Sequence, residues 1–110
     1  NGLDYMLFKN RNWGGYHFPR HFFIFNQFSL QNLCKKCGFK IIKKQSILSP
    51  VFWIHSFHNY FIEKKGYFPI AKLFKYNNPI LLIIFTCIEL FQVYFLRMSS
   101  NLRMIIRKQI

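Results

Sequence analysis

Acidic residues are nearly absent: the 110-residue chain carries three, against sixteen lysines and arginines, for a formal net charge of +13. Such an excess points to an anionic partner, either nucleic acid or an anionic membrane surface. The chain is also rich in Lys, Asn, Ile and Phe together, a mixture that an AT-rich genome writes into its proteins, so charge alone does not choose. The basic residues are dispersed, with no run of five, and nucleic acid is not expected as a partner. Cysteine is scarce too. Cys34, Cys37 and Cys87 are an odd set, which does not read as a disulfide framework, and a reducing cytoplasm is the expected location. The opening residues lack the basic, apolar and small-residue sequence of a secretory signal. The first residue is Asn1 rather than Met, as a processed, trimmed or truncated start would leave it. No internal repeat and no low-complexity linker occurs.

Apolar residues make up 52% of the chain and aromatics 21%, with 15 Phe. That is enough for a packed core in one small domain, or in part of a larger one. Residues 3–8 suit a short apolar helix. Residues 10–19 read as loop, with Gly14-Gly15 giving backbone freedom and Pro19 extending the residue before it. Asn26 is a candidate N-cap for a helix over residues 27–37, with apolar positions at Phe28, Leu30, Leu33 and Cys34 and with Gly38 as its left-handed stop. A strand is expected over residues 39–48, with Phe39, Ile41 and Ile42 apolar and Lys40, Lys43 and Lys44 outside the core. Pro50 opens a helix to about residue 64, and residues 70–76 suit a further helical turn.

Pro79 begins the longest apolar segment, over residues 79–98, and proline is favourable in a first helical turn. Between Ile80 and Leu96 only Thr86, Glu89 and Gln92 are polar, and their spacing puts them in one narrow stripe. The length approaches that of a membrane span. A carboxylate at mid-bilayer costs roughly 3 kcal/mol or more, so a core-covering helix, or one lying on a membrane surface, is the expectation. After Ser99-Ser100, "NLRMIIRK" alternates as a closing strand does.

Two small motifs carry little chemistry. Cys34-Lys-Lys-Cys37 lies at the C-terminal end of its helix, not at the N-terminus that would lower a thiol pKa, and is read as core-facing thiols. His55 and His58 are spaced i, i+3 on one helix face, but no third metal ligand is near. A two-stranded sheet is not stable alone, so the strands require neighbours.

The stretch "NWGGYHFPRHFFIFNQFSLQNLCKKCGFKIIKK" resembles the C-terminal part of a class I S-adenosylmethionine-dependent methyltransferase domain. Trp13, Gly15, Pro19, Arg20, His21, Phe25, Leu33, Gly38, Phe39, Ile41 and Ile42 fit the pattern, and "SSNLRMIIRK" is similar to the closing strand of the same group. The likeness covers residues 3–48 and 99–108, with residues 49–98 as an apolar helical insert. It implies an α/β fold: the C-terminal portion of a Rossmann-like, seven-stranded sheet, whose sixth and seventh strands these two would be. It also implies S-adenosylmethionine as cofactor and a small-molecule, lipid-linked or sugar acceptor. The Gly-rich loop and the acidic residue that hold the cofactor in that family have no counterpart here, so this chain alone is not expected to bind it. His21 is the candidate base or acceptor-orienting residue, or else it fixes the loop through backbone hydrogen bonds. Arg20 would hold an anionic acceptor group or pair with a carboxylate. Trp13 and Tyr16 would line the acceptor pocket or pack beneath the loop. The alternative is a non-enzymatic basic module that lies on an anionic membrane through residues 79–98.

Overall fold

Two buried carboxyl groups and three stacked aromatic rings set the centre of the fold. The computed structural model describes residues 2–9, 11–16, 23–64 and 68–109. Within them the chain runs α1 (Leu3–Phe8), a 3-10 turn (Gly14–Tyr16), α2 (Gln27–Lys36), β1 (Phe39–Ile47), α3 (Pro50–Glu63), α4 (Phe68–Ala71), α5 (Pro79–Tyr94) and β2 (Asn101–Lys108). This is a mixed α and β chain.

The local chemistry explains the boundaries. The Asn26 side chain accepts the Ser29 backbone N–H at 2.8 Å and so starts α2. At the other end the Cys37 N–H bonds the Leu33 carbonyl, and Gly38 takes φ 75°, the left-handed conformation that ends a helix without a side-chain clash. Asn78 caps α5 by accepting from the backbone of Ile80 and Leu81, and Pro79 fills a first-turn position whose N–H would have no partner. The expected helical turn at residues 70–76 is instead α4, which ends at Ala71.

β1 and β2 pair antiparallel, from Phe39 opposite Lys108 to Ile47 opposite Asn101. The register slips between Ile41 and Lys43. Ile42 falls in that slip and is half exposed, on the opposite face from Phe39 and Ile41. Ile105 and Ile106 on β2 are also partly uncovered. Among the described residues these are the only two strands.

The apolar core lies between α3 and α5. Trp53, Ile54 and Phe85 are buried there, with Leu3, Phe8, Phe57 and Phe74 packed around them. The Trp53 and Phe85 rings stack at 5.7 Å, as do those of Phe57 and Phe85, and Phe57 stacks on Phe74 at 5.3 Å. Cys34 is buried but Cys37 is exposed, so only the first of the two thiols faces inward. His58 Nδ1 lies 2.9 Å from the Ala71 carbonyl and His55 stacks on Tyr76. Among the described residues no group of His, Cys, Asp and Glu could hold a metal, and no helix is long and apolar enough to cross a membrane. The radius of gyration is 16.0 Å with extents of 57 × 28 × 22 Å. A compact domain of this length would have about 13 Å, so the chain is elongated and its core is small.

Candidate functional site

Trp13 leads into the 3-10 turn and is held from three sides. Its indole N–H donates to Asp4 Oδ2 at 2.7 Å. The rings of Tyr5, Tyr16 and Phe52 meet it edge-on, with centroids 5.1, 5.2 and 5.7 Å away. Gly14 donates its N–H to Ser56 Oγ at 2.8 Å, and a Cβ on Gly14 would stand 2.5 Å from the Phe52 carbonyl oxygen. The absent side chain is thus what lets this turn rest on α3.

Behind Trp13 lies a network of buried polar groups. Asp4, Glu89 and Gln92 are fully buried. Ser100 Oγ is 2.5 Å from Asp4 Oδ1 and 2.8 Å from Glu89 Oε1. Gln92 donates to Glu89 Oε1 at 2.7 Å and to Ser100 Oγ at 3.0 Å, and accepts the Leu3 N–H at 2.9 Å. Trp53 donates to Glu89 Oε1 at 3.0 Å and the Ser49 N–H to Oε2 at 3.2 Å.

The proton count of this network is informative. Ser100 has one hydroxyl proton and faces two carboxyl groups. Ser100 donates its one proton to Glu89 Oε1 or to Asp4 Oδ1, and its oxygen accepts from Gln92. Burial holds the Glu89 pKa above the ordinary value, and proximity to Asp4 adds in the same direction. Hydrogen bonds from Ser100, Ser49 and Trp53 act against the rise.

In front of Trp13 is a cavity of about 720 Å³, in the size range of small-molecule sites. Tyr5, Trp13, Phe25 and Phe52 give it aromatic walls, and Asn26, Ser29, Ser46, Ser100 and Asn101 give it polar ones. Arg97 stands on its wall with φ 52°, a left-handed conformation uncommon for a residue with a side chain.

The sequence-predicted residues divide. Trp13 lines the cavity. Tyr16 lies outside its wall, with its hydroxyl donating to the Lys9 carbonyl. Burial first, and then the neighbouring Tyr5, hold the Tyr16 phenol above its ordinary pKa, so it serves as a donor at neutral pH. Arg20 and His21 lie outside the described residues. Sequence reading missed Asp4, Tyr5, Arg97 and Ser100. The signal for Asp4 was an acid alone in an apolar hexapeptide, LDYMLF.

The cavity does not fit S-adenosylmethionine as that family holds it. Gly14-Gly15, the one paired glycine, sits in the 3-10 turn and follows no strand. The Gly14 N–H is already spent on Ser56.

The chain matches no protein-family model, no curated protein and no solved structure.

Proposed function

We propose that this chain is the acceptor-side portion of an S-adenosylmethionine-dependent methyltransferase domain, with the Trp13 cavity as its acceptor site. One observation carries the reading. The two separate stretches that resemble that family, residues 3–48 and 99–108, wall a single cavity. Tyr5, Trp13, Phe25 and Asn26 come from the first and Ser100, Asn101 and Leu102 from the second. On this reading β1 and β2 are the sixth and seventh strands of a larger Rossmann-like sheet. That accounts for a two-stranded sheet with uncovered isoleucines on both strands.

The chain's own residues would position an acceptor. Trp13 is buried and fixed by Asp4 and three aromatic rings, so it would give a flat or aliphatic acceptor a rigid piece of wall. The polar groups opposite, Asn26, Ser29 and Asn101, suit hydroxyl or amide groups. His21 would take a proton from the acceptor, and Arg20 would hold an anionic group on it. The cofactor half is not built from these residues, and no step is assigned through it.

The test is the coding sequence upstream of Asn1. An apolar strand running into a Gly-rich loop and helix, with an acid closing the next strand, is the expected result. A reading frame without that pattern would overturn the assignment. In a protein carrying both halves, His21→Ala should lower kcat by about 100-fold. Arg20→Ala should chiefly raise KM.

A further inference from the structure

Helix α5 is apolar on both faces: Phe85 is buried in the core, with Leu81, Leu82 and Ile88 packed beside it. Its polar residues Glu89 and Gln92 are fully buried, while Ile80, Ile83, Ile84, Phe91 and Tyr94 are exposed. Ile83 is 66% exposed, Phe91 53% and Tyr94 75%. Together with Cys87 and Leu90 these positions recur every three or four residues, so they form one continuous apolar stripe. An ordinary surface helix carries polar residues on that face. The helix has 16 residues, so the stripe is about 24 Å long at a rise of about 1.5 Å per residue. The hydrocarbon core of a bilayer is about 30 Å thick, so the helix is too short to cross it.

Charge indicates what covers the stripe. The chain's three acids are all accounted for: Asp4 and Glu89 are fully buried, and Glu63 bonds Arg11 at 3.0 Å and Asn12 at 2.8 Å. The surface charge of the described residues is therefore almost wholly positive. Lys75 precedes the stripe and Arg97 follows it, both exposed. A second copy of the chain would set like charge against like. Nucleic acid would satisfy the cations and leave the isoleucines uncovered. An anionic phospholipid surface uses both features, since the acyl boundary takes the apolar stripe and the headgroups take the lysines and arginines.

We infer that the exposed face of α5, centred on Ile83, Cys87 and Phe91, docks this chain on an anionic phospholipid bilayer with the helix axis parallel to the membrane plane. Such docking holds whether or not the chain belongs to a methyltransferase.

Two measurements test it. The first is co-sedimentation with vesicles of equal parts phosphatidylcholine and phosphatidylglycerol, at low and high salt. Binding should weaken but persist in high salt. Ile83→Glu and Phe91→Glu, both at exposed positions, should each weaken it about tenfold or more, with an unchanged circular dichroism spectrum. The second uses a nitroxide on Cys87 in a Cys37→Ser background, Cys34 being buried, and introduces no charge into the apolar stripe. On vesicles its collisions with oxygen should rise and those with a water-soluble nickel chelate should fall. Binding that disappears with salt and ignores both Glu variants would overturn the inference, as would a Cys87 label that stays open to the chelate. So would variants that only convert an oligomer to monomer, or a chain that binds single-stranded oligonucleotides and no vesicles.

Discussion

The indole of Trp53 donates to Glu89 Oε1 at 3.0 Å, so the most apolar helix of the chain is anchored to α3 through its one acid. Two consequences follow from that bond. It turns the polar edge of α5 inward, and with it the isoleucines outward. It also places a carboxyl group where losing a proton is costly.

Stability should therefore depend on pH through Glu89. Its folded pKa is raised, chiefly by burial. Below the ordinary glutamate value both the folded and unfolded chains hold the proton. Between that value and the raised folded value only the unfolded chain releases it, so stability falls as pH rises across that window. Above the folded value the loss is complete and constant. Urea midpoints measured from mildly acidic to neutral pH should show this decline. Glu89→Gln should flatten it, at a constant cost of about 1 kcal/mol for facing an amide N–H toward the Ser49 N–H. An equal slope in both proteins would remove Glu89 as its source.

Trp13→Phe should destabilise the chain by about 1–3 kcal/mol. Phenylalanine keeps the edge-on contacts with Tyr5, Tyr16 and Phe52 but leaves Asp4 Oδ2 without the indole donor, inside a site where Asp4 is fully buried. Trp13→Phe together with Asp4→Asn should cost less than the sum of the two single changes. A strictly additive pair would mean that the bond between them carries little coupling.

What the sequence made legible was local. Caps are written in a few adjacent residues, and Asn26, Gly38, Pro50 and Pro79 all mark helix ends. Thr86, Glu89 and Gln92 could be read as one stripe because helical spacing is local too. Spacing does not say whether a stripe faces in or out, and the common expectation of polar-outward is reversed here. The slip at Ile42 was not legible because pairing depends on the partner strand, sixty residues away in sequence. Asp4 went unnoticed as a site residue because its partner Ser100 lies at a separation of 96 residues. The cavity depends on the same long-range closure, so Trp13 could be nominated but Tyr5 and Arg97 could not.

Gly14 and Gly38 should respond differently to alanine. Gly14→Ala drives a Cβ into the Phe52 carbonyl oxygen and the His55 Cβ, 2.5 and 2.6 Å away. Backbone on α3 cannot retreat easily, and a cost of about 1–3 kcal/mol is expected, with loss of the cavity wall. Gly38→Ala meets nothing within 4 Å. Its cost is the left-handed backbone alone, about 1 kcal/mol. Thermal melts of the two variants rank the effects, and a larger loss at Gly38 would contradict the packing of the 3-10 turn on α3.

Ser100→Ala should be the most damaging of the small changes, although it deletes a single oxygen atom. That oxygen touches Asp4, Glu89 and Gln92 at once. Its removal takes the proton from between two carboxyl groups and leaves one Gln92 N–H and Asp4 Oδ1 to find other partners in a closed site. Each buried polar group left unsatisfied costs about 1–3 kcal/mol, so the total should exceed that of Trp13→Phe. Ser100→Thr keeps the hydroxyl and should recover most of the loss if the added methyl group can turn toward the cavity, whose wall Ser100 forms. Urea denaturation of the two variants separates the cases. A large loss in Ala with recovery in Thr assigns the effect to the hydroxyl. An equal loss in both would place it in the packing of the turn before β2 instead.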